Sequence, residues 1–350
     1  VADIRVPDAG AVSLLAGNRR TGAQRRNSSE GVMQTFLDFE KPIAELEGKI
    51  EELRHLSDGG DINIAEEVTR LQGKVDRLLR NTYEKLNPAQ KVQVARHPSR
   101  PHFSDYIDDL IEDFEPLAGD RAFGEDRAIV GGPGRLRGQS MMVIGHEKGR
   151  DTDDRVRHNF GMAKAEGYRK AERLMRMAER FKLPIVTLVD TAGAYPGVAS
   201  EERGVAEAIA KCIETCVSVQ VPLVSVIIGE GGSGGAIAIA VADRVMMLEH
   251  AVYSVISPEG AAAILWRSAD QSKEAAQALK LTAQDLAQLG LVDRVIEEPT
   301  GGAHRFPDET IAAVGDAIEQ ALNDLRHLDG PSLKAHRREK FLAMGQKGLG

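Results

Sequence analysis

Cysteine is nearly absent from these 350 residues: there are two, Cys212 and Cys216. Two thiols four positions apart build no disulfide scaffold and cannot complete a four-thiolate zinc site. Aromatics are scarce too, with nine Phe, five Tyr and one Trp against 35 glycines. The core is therefore expected to be aliphatic and Ala-rich, with backbones in close approach at glycines. No apolar run approaches the roughly 18 residues of a membrane-spanning helix. Positive charge is not in excess either: the formal net charge is -8, which argues against a broad nucleic-acid surface. What is there is a hydrophobic fraction of 42%, enough for a real core and incompatible with wholesale disorder. The length fits one large domain or two ordinary ones.

Residues 1–32 stand apart. They hold no sustained period and carry five arginines against three acids. A basic, small-residue-rich segment invites comparison with a targeting peptide, but Asp3, Asp8 and Glu30 fit that poorly. The expectation is a disordered leader or an upstream extension, with Met33 as the start. The 318 residues from Met33 onward then carry 40 basic and 50 acidic side chains, a net charge of -10.

From Phe36 the pattern turns helical. Ile43, Leu46, Ile50 and Leu53 form one stripe that stops before Ser57-Asp58-Gly59-Gly60. A second helix, from about Ile64 to Leu86, carries Val68, Leu71, Val75, Leu78 and Leu79. Together, over residues 33–90, they read as a helical hairpin for packing on a partner chain rather than in the main core. Pro98 and Pro101 then interrupt regular structure.

Residues 91–325 alternate short aliphatic strands with longer helices. The strands expected are Met141–His146, Pro184–Val189, Leu223–Ile228, Val245–Leu248 and Tyr253–Ile256. The helices expected are Ala163–Phe181, Glu201–Val217, Gly260–Trp266, Ser272–Leu279, Ala283–Leu289 and Glu309–Leu325, with a helical tail over 326–350. Unbroken apolar runs imply strands buried on both faces, hence an α/β fold with helices covering a largely parallel sheet.

The densest chemical signal is PLVSVIIGEGGSGGAIAIAVADRVMMLE. Gly229, Gly231, Gly232, Gly234 and Gly235 follow a strand and precede an Ala/Ile run. The helix starting there points free N–H groups at whatever sits in front of it, favouring an anion or a developing oxyanion. Two other patterns match. Gly229 to Gly234 fits G-x-G-x-x-G, with Glu249 twenty residues on, although the span to the next strand is short for a dinucleotide crossover. Gly231 to Gly235 fits G-x-S-x-G, a nucleophile elbow centred on Ser233, with Glu249, His250 and His304 as later acid and base. Ser233 also reads simply as a small residue at a helix start.

A second turn, PIVTLVDTAGAYPGVASEERG, lies upstream. Asp190 ends its strand as a possible base, metal ligand or turn cap. Two such turns on neighbouring strands would frame one crevice. His146, His158 and His250 lack metal-ligand spacing and read as structural or solvent-facing.

At these turns the chain resembles the alpha-subunit family of the bacterial acetyl-CoA carboxylase carboxyltransferase. The likeness runs in order from FLDFEKPIAELEGKI through ARHPSRP, LAGDRAFGEDRAIVGG, IGHEKGR, RHNFGM and AEGYRKA. It continues with LPIVTLVDTAGAYPG, VIIGEGGSGGA, YSVISPEG and EPTGGAHR. It implies a crotonase-like (ClpP/crotonase) spiral of β-β-α units after the hairpin. It implies a cytoplasmic half-enzyme that pairs with a beta subunit as α2β2 and passes a carboxyl group from carboxybiotin to acetyl-CoA, giving malonyl-CoA. The biotin is carried in trans on a biotin carboxyl carrier protein. A biotin carboxylase performs the ATP-dependent step in the wider complex. The zinc ribbon belongs to the beta chain, so no metal is expected here, nor a nucleic-acid or membrane partner.

By motif, the resemblance assigns Gly234 and Gly235 as the backbone N–H pair for the oxyanion on the biotin side. Gly231 and Gly232 shape that loop, and Gly193, Ala194, Tyr195, Pro196 and Gly197 line the same cleft. Ala192 stands where the family has proline, Glu147 where it has glutamine and Ala165 where it has proline. Two oriented N–H groups in a dry cleft suffice for such chemistry without a side-chain nucleophile. The alternatives are a stand-alone crotonase-like acyl-CoA hydratase, a serine hydrolase using Ser233, and a non-catalytic scaffold or regulatory nucleic-acid-binding subunit.

Overall fold

The computed structural model describes residues 35–56 and 62–345. From Leu37 onward the described residues belong to one compact unit. The leader expected over 1–32 and the break expected at Ser57–Gly60 lie outside the described residues.

After a 3-10 turn, Asp38–Glu40, come α1 (Lys41–Leu56) and α2 (Ile62–Tyr83). They close on each other through Ile43, Ile50, Leu71, Val75 and Leu79, and their small core takes in Val94 of α3 (Pro88–Ala95). The hairpin is thus seated on its own chain. Buried Glu40 secures it: it accepts from the Tyr83 hydroxyl at 2.8 Å and pairs with Arg305 at 3.2 Å.

Next come α4 (Phe103–Leu110), β1 (Ile111–Glu112), β2 (Ile129–Leu136), β3 (Gln139–His146), α5 (Thr152–Arg157), α6 (Ala165–Phe181) and β4 (Ile185–Thr191). The chain continues through α7 (Val198–Glu202), α8 (Val205–Ser218), β5 (Leu223–Gly232), α9 (Ser233–Ala240), β6 (Arg244–Leu248) and β7 (Val252–Ser254). It ends with α10 (Pro258–Trp266), α11 (Ser272–Ala278), α12 (Ala283–Gln288), β8 (Arg294–Ile296), α13 (Pro307–Leu325) and α14 (Gly330–Ala343).

Among the described residues eight strands form one open mixed sheet; seven run in the order β1-β2-β3-β4-β5-β6-β8, and β7 pairs with β5 off that path. From β3 to β8 the pairing is parallel; β1-β2-β3 is an antiparallel flank. Strand β5 is long enough to pair with β4 and β6 along its body and with β7 at its far end, Glu230–Gly232. All seven residues of β4 and all ten of β5 are buried, as apolar strands covered on both faces must be. Helix α6 shows why it lies where it does: Tyr168, Ala171, Leu174, Met175 and Ala178 recur at three- and four-residue spacing, and all are fully buried. The open α/β sheet with helices on its faces is the crotonase-like carboxyltransferase architecture that the resemblance implied.

The differences from expectation have local causes. The helix expected over Glu201–Val217 is two, because Gly204, at φ +76°, restarts it as the N-cap of α8. The expected Tyr253–Ile256 strand is Val252–Ser254. Strands β1, β2 and β8 were not anticipated. In β2 the run Gly131-Gly132-Pro133-Gly134 reads as a turn. Yet Glu115 and Leu117 donate to the carbonyls of Pro133 and Gly131 along that edge. A Cβ on Gly132 would lie 1.9 Å from the Glu115 carbonyl oxygen.

The C-terminal helix α14 is held by a fully buried Arg337. It pairs with Asp243 at 2.6 Å and donates to the carbonyls of Cys216, Val219 and Val221. Asp243 in turn accepts from the N–H of Leu223, the first residue of β5.

Candidate functional site

Strands β4 and β5 are neighbours, and their C-terminal ends bring the two glycine turns together. Thr191 faces Gly231 across a register shift. The Thr191 hydroxyl donates to the Gly193 carbonyl at 2.8 Å and accepts from the Gly193 N–H at 3.1 Å, which folds the first turn tightly. The second turn lies directly on it. A Cβ on Gly232 would sit 2.1 Å from the Ala192 carbonyl oxygen; one on Gly235 would sit 2.6 Å from the Gly193 carbonyl carbon and 2.7 Å from the Ala194 nitrogen. All three separations are impossible for a side chain, so both positions require glycine because backbone packs on backbone. Helix α9 starts at this contact, with Ser233 at φ +55° and no side-chain cap.

Gly231, Gly232 and Gly235 are buried, Gly234 is half-buried and Ser233 is exposed. Gly193 and Ala194 meet the second turn. Tyr195 instead turns toward α6: its N–H donates to the Ala163 carbonyl at 2.9 Å, its ring lies 5.1 Å from the Lys164 ammonium, and it closes over Gly197. Pro196 is exposed.

Ser233 and Gly234 open onto an apolar groove of about 600 Å³ lined by Ile237, Val241, Tyr253 and Leu286 among others. No histidine or carboxylate lines that groove, so no Ser-His pair forms there; its lysine, Lys280, stands 3.9 Å from Asp285. His250 and His304 lie elsewhere, around Tyr83 and His97; the His97 and His304 rings stack at 4.1 Å. Among the described residues no group of three or more His, Cys, Asp or Glu is placed to hold a metal ion.

On the other flank is a charged network that the sequence reading did not assemble. Asp190 ends β4 and is buried. Its Oδ1 accepts from the Glu230 N–H at 2.8 Å and from the Lys148 ammonium at 2.6 Å. Burial alone would raise this carboxyl; the Lys148 charge beside it overrides burial and holds it well below the usual carboxylate range. Glu230 pairs onward with Arg96 at 2.6 Å, and Arg96 with Glu259 at 2.8 Å. Behind them, Arg100 and Glu298 form a fully buried ion pair. Burial would raise Glu298 as well, but Arg100 draws it down to about 2. Two further polar side chains are buried near this crest with no hydrogen bond to another side chain. His146 lies against the Gly235 backbone, and burial pushes it down to about 4. The Tyr168 hydroxyl, unpartnered, sits 2.9 Å from where a Gly235 Cβ would be. The signal for this network was present in the ARHPSRP and IGHEKGR segments, but as separate stretches of sequence.

A family model described as acetyl co-enzyme A carboxylase carboxyltransferase-like matches residues 36–345. The chain is 72% identical over 315 residues to the acetyl-coenzyme A carboxylase carboxyl transferase subunit alpha of Rhodospirillum centenum, covering 90% of this chain and 99% of that one. It is 69% identical over 314 residues to the same subunit of Paramagnetospirillum magneticum, with the same coverage. Among solved structures it resembles transcarboxylase 12S with hydrolysed methylmalonyl-coenzyme A bound (TM-score 0.54, 21% identity, 68% of this chain and 45% of that one). It also resembles a Pseudomonas malonate decarboxylase hetero-tetramer in complex with coenzyme A (TM-score 0.51, 18% identity, 63% and 86%). At those identities the two structures speak to fold alone.

Proposed function

Because the chain belongs to the acetyl co-enzyme A carboxylase carboxyltransferase-like family, we propose that it is the alpha subunit of that transferase, forming malonyl-CoA from acetyl-CoA. The observation that carries the reading at the site is the contact of Gly235 with Gly193 and Ala194. It supports a helix start whose N–H groups are bare: the first turn of α9 has no intrahelical acceptors for them, and the helix dipole adds positive potential. Glycine at 232 and 235 lets the two turns pack backbone on backbone, which fixes the direction in which the helix start points.

In this reading Gly234 and Gly235 hold the oxyanion on the biotin side, Gly231 and Gly232 present them, and Gly193 to Gly197 wall the cleft. Carboxybiotin, once its carrier docks, would supply the carboxyl group and leave as biotin. One well-placed N–H donor contributes about 3 kcal/mol to such stabilisation. Asp190 binds the Glu230 N–H and so fixes the turn before any ligand arrives, which is what preorganisation requires. His146 stays neutral at pH 7 and places no charge beside the turn.

The chain then works in the cytoplasm with a beta subunit, as α2β2. The beta chain brings the zinc ribbon, the complementary oxyanion site and most coenzyme A contacts. A biotin carboxyl carrier protein and a biotin carboxylase complete the system, and the ATP step belongs to the carboxylase. No ATP or other nucleotide site is proposed on this chain. Reconstitution tests the reading: purified chain, supplied with carboxylated biotin and acetyl-CoA, should make malonyl-CoA only with its beta partner. Turnover by the chain alone would defeat the half-enzyme reading, and none with the partner would defeat the transferase.

A further inference from the structure

Beside the glycine turns, and separate from the apolar groove, is a cavity of about 220 Å³. It is smaller than the roughly 300 Å³ at which pockets for drug-sized ligands begin, so it suits a small polar group. Ala192 and Glu230 join it to the two turns, and Asp190, Lys148, His102 and Arg155 form much of its wall.

Two of these groups have unused capacity. His102 is 7% exposed, and neither ring nitrogen has a hydrogen-bond partner. Its Nδ1 is 3.7 Å from Asp190 Oδ2, at ion-pair distance for a protonated ring but longer than a hydrogen bond. A buried unpartnered imidazole is costly unless something satisfies it. Arg155 is half-buried; among the described residues its guanidinium has one long hydrogen bond, to the Gly149 carbonyl at 3.4 Å, and no carboxylate at salt-bridge distance. The other cations of the wall are committed: Lys148 to Asp190, Arg96 to Glu230 and Glu259, Arg100 to Glu298.

We infer that this cavity is a binding site for a small, singly charged carboxylate-type anion, held by the Arg155 fork and the His102 ring. A planar guanidinium matches the two oxygens of such an anion. Asp190 and Glu230, in the same wall, repel a doubly charged phosphate. That the anion is the carboxyl group in transfer rests on the function proposed above; that a carboxylate binds does not. Free bicarbonate and a substrate-borne carboxylate share this chemistry.

The test is titration of the full-length chain with [13C]bicarbonate, followed by NMR line broadening. Saturable binding is expected, displaced by acetate and not by inorganic phosphate. R155M and H102N should each weaken it about tenfold or more, the loss of one charge-assisted hydrogen bond. R135M, at a distant surface ion pair, should leave it unchanged. Circular dichroism checks the fold of H102N; Arg155 has only one weak contact to lose. In the reconstituted complex, R155M raising the KM for the biotin substrate identifies a substrate-borne carboxylate, and an unchanged KM identifies the free ion. No saturable binding, equal displacement by phosphate, or binding indifferent to both variants overturns the site. Those results leave the transferase standing if malonyl-CoA still forms; failure to form malonyl-CoA leaves a measured bicarbonate site standing.

Discussion

The carboxylate of Asp190 accepts the backbone N–H of Glu230 at 2.8 Å, so the last turn of one central strand is tied to the last turn of its neighbour by a side chain. The same oxygen takes the Lys148 ammonium at 2.6 Å. Asp190→Asn keeps the shape and an acceptor but removes the countercharge. Breaking a largely buried pair in this way should destabilise the chain by about 3 kcal/mol. Urea titration of D190N, K148M and the double variant checks it, with the double variant recovering part of the loss. Additive losses would mean that the pair does not act as a unit.

Gly235→Ala should be enough to impair carboxyl transfer, because the first atom of any side chain meets the Gly193–Ala194 backbone. A drop of about 100- to 1000-fold is the size expected for one lost oxyanion donor. Association with the beta partner, measured by sedimentation, should persist. Unchanged turnover in G235A would remove Gly235 from the oxyanion site.

Ser233 predicts the opposite pattern. With no histidine or carboxylate in its groove, Ser233→Ala should leave transfer within about twofold of the parent, a change inside the usual range for a non-participating side chain. Ser233→Gly should stabilise the chain by roughly 0.5–1 kcal/mol, since φ +55° is easier for glycine. Serine-directed labelling that vanishes in S233A together with activity would restore the hydrolase alternative.

Acid should weaken the fold in two stages. His146 is held down to about 4 from 6.5, and Glu298 to about 2 from 4.5. In each window the unfolded chain binds more protons, so stability falls as pH falls. His146 contributes ~3 kcal/mol of this between about pH 6.5 and 4. The Glu298 contribution is complete above about pH 4.5 and is lost on the way to 2. Denaturation midpoints for the parent chain and H146N across that range provide the measurement. Parallel curves would exclude His146 as the source of the first stage.

Arg337→Met strands Asp243 without its cation in a fully buried site. The expected loss is about 3–5 kcal/mol, seen as a lower thermal midpoint. R337M combined with D243N should lose less than R337M alone; if it loses more, the buried charge is not what makes the single variant unstable.

How far the sequence foretold all this depended on which atoms do the work. Pro184–Val189 and Leu223–Ile228 were legible as strands because burial on both faces demands unbroken aliphatic runs. Ile129–Leu136 was not, since its glycines and Pro133 answer to a backbone at 115–117 that only the fold brings alongside. The glycine turns were legible as backbone chemistry, and their mutual contact follows from β4 and β5 being neighbours. The Tyr195 segment was legible only as a loop; its course toward Ala163 depends on α6. The cavity wall comes from residues 95–102, 148–155, 190 and 230, and no single stretch of it has a pattern of its own.

Cys216 lies fully buried with its sulfur 3.5 Å from both Met175 and the Ala238 carbonyl, and Cys212 is buried one turn earlier on α8. Ala238 belongs to α9, the helix that carries the glycine turn. A thiol reagent therefore reaches Cys216 only when α8 lifts from α9 or the chain opens more widely. Alkylation in native buffer, timed by mass spectrometry, becomes a built-in clock for that opening. No label needs to be engineered: the scarcity of cysteine makes each signal assignable to one helix.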